Sequence, residues 1–544
     1  MRTLTGHIVD VVSKRIFDGC ITLNGSKIHS ITPATQVEDQ YIAPGLIDAH
    51  IHIESSMLIP SEFARQVVTH GTVACVSDPH EIANVCGIQG IDFMIENGRN
   101  SPLKFCFGAP SCVPATHAET AGASLHAEDV KQLLQRPDIG YLAEMMNFPG
   151  VIYKDEQVIL KLKAARDLGK PIDGHAPELS GDNLRAYVEE GITTDHECMS
   201  QIEAKEKIAL GMKILIREGS AAKNLNDLMP LIRKFPTKIM LCSDDKHPDD
   251  LLQYGHMDHL VRRILANGYD VFDTLRACTL NPIKHYKLPV GLLQTGDPAD
   301  FIVVDNLRSF NVLQTWINGT QVANKDQALF ARNGKTMPIN HFKASPILAS
   351  DLERFALGNQ MRVITVEDGQ LYTKAEWIEP KTKGKLVVSD VQKDVLKLVV
   401  LNRYETAEPA VAFIKNFGLK EGAIASTVAH DSHNIVAVGT SDEALAKAIN
   451  ELIACKGGIV AVSNTETALL PLPVAGLMSD SDAQTVANGY QQADALAKRM
   501  GSILTAPFMT LAFMSLLVIP ELKLSDKGLF DVQKFSFTDL FVND

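Results

Sequence analysis

The sequence predicts an α/β protein: a (β/α)8 TIM-like barrel inserted in a small β-sandwich domain and followed by a C-terminal α/β domain. Three observations carry that prediction. Short apolar β-type runs alternate eight times with amphipathic helical stretches over residues 44–286. Turn-punctuated β-rich runs flank this body on both sides, and a further mixture of strand and helix patterns fills residues 340–544.

The first segment, residues 1–43, contains HIVDVV, CITLNG and KIHSIT separated by Gly and Asn turn signals. It is too short to close a sheet core alone. Its expected partner lies in residues 287–339, where GLLQTGDPADFIVVDN and the run from Val312 to Val322 again give short strands with Gly-Asp and Asn-Gly turns. Inside residues 44–286 the strand-like runs are LIDAHIHI, TVACVSD, LKFCFGAP, IGYLAEM, PIDGHA, ITTDHE, MKILIREGS and KIMLCSDD. Between them lie helix-like segments such as SEFARQVVTH, EDVKQLLQR, EQVILKLKAARDLG, NLRAYVEEG and MDHLVRRILANG, several ending in the Gly that a helix C-terminus favours. Eight such units point to a closed barrel. The alternative is an open doubly wound sheet, but no GxGxxG follows the first strand. Residues 340–544 carry the strand patterns KLVVLNRY, NIVAVGT and GGIVAVS and the helix patterns SDEALAKAINELIAC and DAQTVANGYQQADALAKRMGS. With no low-complexity tract or long charge run before it, this region reads as a packed α/β unit and not as a loose tether.

Composition narrows the function. The 544 residues carry 52 Lys+Arg against 65 Asp+Glu, a formal charge of −13, so the attraction that drives non-specific nucleic-acid binding is missing. Apolar residues at 45% and charged residues at 22% fit a globular chain and exclude wholesale disorder. Nine cysteines with no CxxC pair indicate neither a disulfide framework nor a thiolate zinc knuckle, which points to a reducing cytoplasm. The N-terminus, MRTLTGHIVDVVSKRIFDG, lacks the charged and apolar blocks of a signal peptide. Between Arg499 and Glu521 there is no charged residue, a length near that of a bilayer span, but Pro507, Ser515 and Pro520 interrupt or bound it. Buried core is the expectation there, with no membrane partner, and this apolar segment in a long chain suggests a homodimer.

In a (β/α)8 barrel the C-terminal ends of the strands converge on one face, so polar residues there are functional candidates. Strand one ends in His50-x-His52, and residues two apart on a strand point the same way and can share a metal. Strand four ends in Glu144, strand five in His175, strand six in His196 and strand eight in Asp244. Four imidazoles and two carboxylates make a site of N/O type. Six ligands exceed what one tetrahedral Zn²⁺ uses while keeping a water position open, so the count favours two cations with a bridging carboxylate. His80-Glu81 in SDPHEIAN is similar to the HExxH motif, but Asn84 stands where the second His should be. Glu81 follows the second strand and is either functional or an ordinary acidic residue at a helix start. Arg217, at the end of strand seven, holds either a substrate acceptor or a neighbouring carboxylate. The cluster His430-Asp431-Ser432-His433 is a loop reaching the barrel mouth, a separate metal site or a plain surface turn, with the turn favoured. There is no P-loop, no GxSxG elbow and no HxE…PCxxC signature of the zinc nucleobase deaminases.

PGLIDAHIHIESS, GHAP, TDHE and SDD, set in a barrel inside a split β domain, resemble the amidohydrolase superfamily of metal-dependent hydrolases. More narrowly, HIHIESS, DPHEIANV, MMNFPGV, DGHAPELSG, IREGSA, SDDKHP and AHDSHN resemble the adenine deaminase family from end to end of the chain. That resemblance implies hydrolytic deamination of adenine to hypoxanthine and ammonia in purine salvage, at a binuclear centre holding Mn²⁺ or Fe²⁺, with Zn²⁺ as the alternative. It implies His50, His52, Glu144, His175, His196 and Asp244 as metal ligands. In the chemistry this implies, water activated at the centre attacks C6, Asp244 takes its proton, and Glu81, protonated because burial raises its pKa, stabilises charge on the ring. A cyclic amidohydrolase acting on hydantoin, lactam or dihydropyrimidine rings is the competing enzyme. Such enzymes usually bridge their metals with a carboxylated Lys, and no strand end here offers one, which favours Glu144 as bridge. A non-catalytic metal-binding protein is the alternative of another class, and the intact ligand set speaks against it.

Overall fold

A computed structural model describes every residue except 221, 333, 335, 543 and 544. The chain divides into two compact units. One comprises Met1–Pro79, Met94–Ser111 and Leu125–Lys335; the other comprises His80–Phe93, Cys112–Ser124 and Thr336–Asp544. Two short stretches of the 44–286 span thus group with the C-terminal region.

The first unit contains the barrel. Its strands are β1 (Leu46–Ile51), β2 (Thr72–Ser77), β3 (Lys104–Ala109), β4 (Ile139–Met145), β5 (Ile172–Gly174), β6 (Thr194–Asp195), β7 (Lys213–Arg217) and β8 (Ile239–Cys242). β1 to β5 pair in parallel, as do β6 to β8. The Thr193 amide donates to the Ile172 carbonyl at 2.9 Å between β5 and β6. A parallel bridge between Ile51 and Asp244 closes β8 onto β1, with the Asp244 amide donating to the His50 carbonyl at 3.0 Å. All of β1, β2 and β8 is buried, as expected of parallel strands covered on both faces, and their near-continuous apolar runs follow from that. The intervening helices turn one stripe inward: Glu156–Asp167 buries Val158, Leu162 and Ala165, and Met257–Ala266 buries Leu260, Val261 and Ile264. Gly169 and Gly268 follow these two helices at φ +62° and +75°, the left-handed geometry that ends a helix without a Cβ clash.

β5 and β6 are the shortest strands, and side chains fix their ends. Lys207, fully buried on the helix Gln201–Ala209, donates to the Ala176 carbonyl at 2.6 Å and to Glu203 at 2.7 Å, and its ammonium lies 3.2 Å from Asp195. Asp195 accepts the Ala176 amide at 2.9 Å and the Glu197 amide at 2.8 Å. One buried ion pair therefore places the backbone on either side of His175 and His196.

The same unit carries one eight-stranded sheet built from both flanks of the barrel. Arg2–Asp10 lies between its antiparallel partner Arg15–Asn24 and the parallel strand Tyr41–Pro44, which pairs in turn with Phe301–Val304. Ile8, Ile21, Ile42, Phe301, Val303 and Trp316 form its core.

In the second unit the main sheet runs in the spatial order 373–378, 360–366, 410–415, 395–401, 435–439, 423–426, 458–462 and 467–471. The helix Asp442–Cys455 packs Leu445, Ile449 and Leu452 into the core formed with Val399, Ala437 and Val460. The charge-free stretch before Glu521 forms the helix Pro507–Ala512 and a 3-10 turn at Phe513–Ser515, all buried. Among the described residues no helix is long and apolar enough to cross a membrane.

Removing one partner of a buried ion pair leaves the other charge uncompensated. Lys207→Ala is expected to destabilise the first unit by about 3–5 kcal/mol, read as a lowered unfolding midpoint in denaturant; an unchanged midpoint contradicts the role given to this pair.

Candidate metal centre

The C-terminal ends of β1, β4, β5, β6 and β8 bring the six strand-end residues together. His50 Nε2 and His52 Nε2 stand 3.2 Å apart, and Asp244 Oδ1 is 3.5 Å from the first and 3.3 Å from the second. Glu144 faces both sides of the cluster. Its Oε1 is 3.5 Å from His52 Nε2, and its Oε2 is 2.9 Å from His175 Nδ1 and 3.0 Å from His196 Nε2. The His50 and His196 rings stack with centroids 4.1 Å apart. Overlapping donor groups result, among them His50, His196 and Asp244; His52, Asp244 and Asp245; and Glu144, His175 and His196.

The local backbone explains these directions. His52 Nδ1 donates to the Asp78 carbonyl at 3.2 Å, which turns Nε2 into the cluster. Asp48, two residues before His50, accepts the His50 amide at 3.3 Å, the Ser243 amide at 3.1 Å and the Ser243 hydroxyl at 2.5 Å. Asp244 has φ +56°, a left-handed conformation that Asp tolerates better than most residues and that aims its carboxylate inward at the end of β8.

Electrostatics match the geometry. Burial pushes the Glu144 carboxyl up, but the His175 and His196 imidazoles outweigh it and hold Glu144 well below the usual carboxylate range. Burial also pushes Asp244 up, and Arg217 with His50 and His52 brings it well below. Burial lowers His175, while Glu197 and Glu144 raise it to about 9. Imidazole nitrogens and carboxylate oxygens aimed at one point, in a site shielded from water, fit divalent cations.

Glu197 is a member of this site that strand-end reasoning passes over. It follows His196 directly and lies 3.7 Å from His175 Nδ1 and 3.4 Å from His196 Nε2. Arg217 grips it with both terminal nitrogens and also donates to Asp244 Oδ2 at 2.6 Å and, from Nε, to the Ala222 carbonyl at 2.7 Å. Glu197 is the second acidic residue of TDHE, and Arg217 the basic one of IREGSA, so the available signal is a charge at each of two adjacent strand ends. Of the two partners open to Arg217, these contacts are with carboxylates.

Glu81 lies in the second unit, on the helix His80–Cys86 that begins just past β2. Its Oε1 is 2.5 Å from His430 Nδ1, its Oε2 bonds to His433 Nε2, and His80 Nε2 is 3.4 Å from Oε1. Two expectations are corrected here. The segment His430–His433 is no surface turn: all four residues are buried, the imidazoles because they satisfy a buried carboxylate. Nor does burial leave Glu81 with a raised pKa. Burial acts upward, but His430, His433 and His80 outweigh it and hold the carboxyl well below its ordinary range.

The chain matches the amidohydrolase family over residues 41–322 and the adenine deaminase C-terminal domain over residues 370–536. It is 52% identical to an adenine deaminase of Methanosarcina mazei over 100% of both chains. It is 53% identical to one of a Sulfurovum species over 98% of this chain and 99% of that one, and 51% identical to one of Salinibacter ruber over 99% of each. The chain belongs to the adenine deaminase family. Its amidohydrolase match takes in the whole barrel and, of the flanking sheet, the strands Tyr41–Pro44, Phe301–Val304 and Val312–Ile317, and its adenine deaminase C-terminal match takes in most of the second unit's strands. Membership in this family of amidohydrolases implies a divalent metal, and the buried His, Asp and Glu donors of the barrel offer it a site.

Glu144→Gln and His196→Ala are expected to lower the metal retained after dialysis, measured by plasma mass spectrometry on folded protein; wild-type metal content in both would contradict the ligand assignment.

Proposed function

We propose that this chain catalyses the hydrolytic deamination of adenine to hypoxanthine and ammonia in purine salvage. The observation that carries this reading is the convergence of four imidazoles and two carboxylates at barrel strand ends in a chain 52% identical, end to end, to an adenine deaminase. Two divalent cations held by His50, His52, Glu144, His175, His196 and Asp244, Mn²⁺ or Fe²⁺ with Zn²⁺ as the alternative, would supply the Lewis acidity that makes hydroxide available near neutral pH. Glu144, whose two oxygens face different histidines, would be the carboxylate shared between them.

The chain's own groups then manage the protons. Asp244, kept ionised by Arg217, His50 and His52, is the base for the attacking water. Attack at C6 of adenine places negative charge on the ring nitrogens. The ring takes up a proton as it accepts this charge, the hydroxyl at C6 loses one, and Asp244 returns its proton to the exocyclic amine, which leaves as ammonia. Arg217 keeps Asp244 aligned. Its guanidinium has five N–H groups, and among the described residues four bonds go to Glu197, Asp244 and Ala222; the fifth is the one assigned to a substrate acceptor. The substrate is a small neutral molecule, consistent with an acidic chain that offers no attraction to nucleic acid. A cytoplasmic setting is supported by nine cysteines that are all free thiols.

The test is ammonia release from adenine, adenosine and dihydroorotate by protein stripped with a chelator and reloaded separately with Mn²⁺, Fe²⁺ and Zn²⁺. Metal-dependent release from adenine alone is expected, with Asp244→Asn lowering kcat by about 10²–10⁴-fold. Silence on adenine with every metal would overturn the reading in favour of ring-opening hydrolysis.

A further inference from the structure

A second set of metal-ligating side chains lies wholly within the second unit. His80 and Glu81 begin the helix His80–Cys86, and Asp431 belongs to the segment His430–His433. His80 Nε2 is 3.4 Å from Glu81 Oε1 and 3.9 Å from Asp431 Oδ1, and one donor atom from each of the three residues lies within 4.8 Å of the other two. All three side chains are buried. Two ligand atoms about 2.0–2.2 Å from one cation lie about 2.8–3.6 Å apart at angles between octahedral and tetrahedral. The first separation falls inside that range and the second lies close to it. None of the six barrel donors belongs to this group.

The neighbouring imidazoles hold Glu81 as metal sites hold a carboxylate ligand. His433 Nδ1 accepts the Ala429 amide at 3.1 Å, so its hydrogen sits on Nε2, which donates to Glu81 Oε2. His430 Nδ1 lies 2.5 Å from Oε1 and occupies one of the two lone pairs of that oxygen, which leaves the other for a cation shared with His80. The His430 ring is itself fixed: it stacks on Phe513 with centroids 4.5 Å apart, and its amide donates to the Ala512 carbonyl at 3.0 Å. Outer partners of this kind aim ligating carboxylates at a metal. The segment is anchored further by the Tyr404 hydroxyl, which donates to the Ser432 carbonyl at 2.5 Å.

An independent observation comes from Glu119, a buried residue of the same unit. Ser432 and the Thr116 amide lie near it, yet among the described residues neither of its carboxylate oxygens has a hydrogen bond of full geometry. Burial and the neighbouring Asp431 carboxylate both disfavour its charge. Buried carboxylates left in this state are costly, and a cation beside Asp431 offsets that cost. We propose that His80, Glu81 and Asp431 form a metal site of the second unit that takes one divalent cation of the Mn²⁺, Fe²⁺ or Zn²⁺ class, with Glu119 as an outer carboxylate beside Asp431. One imidazole nitrogen and two carboxylate oxygens suit that class of ion. The cation ties the helix His80–Cys86 to the segment His430–His433, two parts of the unit far apart in sequence. The site stands independently of the reaction proposed for the barrel.

The test takes the full-length protein, loads it with Mn²⁺, dialyses it, and reads crystals of it by anomalous scattering at the manganese edge. A peak within bonding distance of His80 Nε2, Glu81 Oε1 and Asp431 Oδ1 is expected. Plasma mass spectrometry on the same material gives a second readout: folded Asp431→Ala is expected to hold one equivalent of Mn²⁺ less than wild type. Glu144→Gln, which alters the barrel cluster, is expected to keep the peak in the second unit, so failure of the barrel assignment and failure of this site are told apart. Peaks confined to the barrel strand ends, or no peak at all, overturn the proposal. A peak that forms only in concentrated Mn²⁺ soaks and is gone after dialysis marks an adventitious ion only and overturns it too. Wild-type Mn²⁺ content in folded Asp431→Ala does the same, and where that variant fails to fold the wild-type peak decides.

Discussion

Asp48 accepts two hydrogen bonds from Ser243 and one from the His50 amide, and through these it ties the first strand of the barrel to the last. The tie matters because the metal-facing residues straddle that seam. His50 and His52 come from one side and Asp244 from the other, and the Asp244 amide and carbonyl bond directly to His50 and His52. Backbone closure and ligand geometry are thus one event. A slip of one residue between β1 and β8 would both open the sheet and turn an imidazole away, since side chains alternate along a strand.

The second constraint is charge. Glu144, Glu197 and Asp244 are buried within one cluster, where uncompensated carboxylates are costly. Arg217 compensates two of them at once, and the neighbouring imidazoles compensate the third. One layer behind, Lys207 neutralises Asp195, whose carboxylate fixes the amides around His175 and His196. The second unit solves the same problem differently. Glu81 is balanced by imidazoles alone, with no guanidinium or ammonium among the groups that lower it.

The barrel is legible in the sequence because its signals are local. Eight apolar runs separated by amphipathic helices, with glycines at helix ends, need no knowledge of distant contacts, and every strand-end donor named from that pattern joins the cluster. Features that depend on pairing across long separations are not legible in the same way. Asp48 and Ser243 are 195 positions apart, and Glu81 and His433 are 352 apart. Neither spacing leaves a periodic trace. Glu197 is hidden for another reason: on a two-residue strand the alternation rule gives no direction for the residues beyond its end. The low pKa of Glu81 escapes sequence reasoning because burial is legible as a tendency while its two imidazole partners, far along the chain, are not.

The order of these residues along the chain also sets an order in time. A chain emerging from the ribosome folds its N-terminal parts first, but no prefix that stops before Asp244 contains both sides of the closing seam. The first histidines of the cluster must therefore wait, paired with nothing permanent, through most of the synthesis of the barrel. Glu81 waits longer still, until His430 and His433 arrive near the last fifth of translation. A product truncated before His430 lacks both of the imidazoles that satisfy the two oxygens of Glu81.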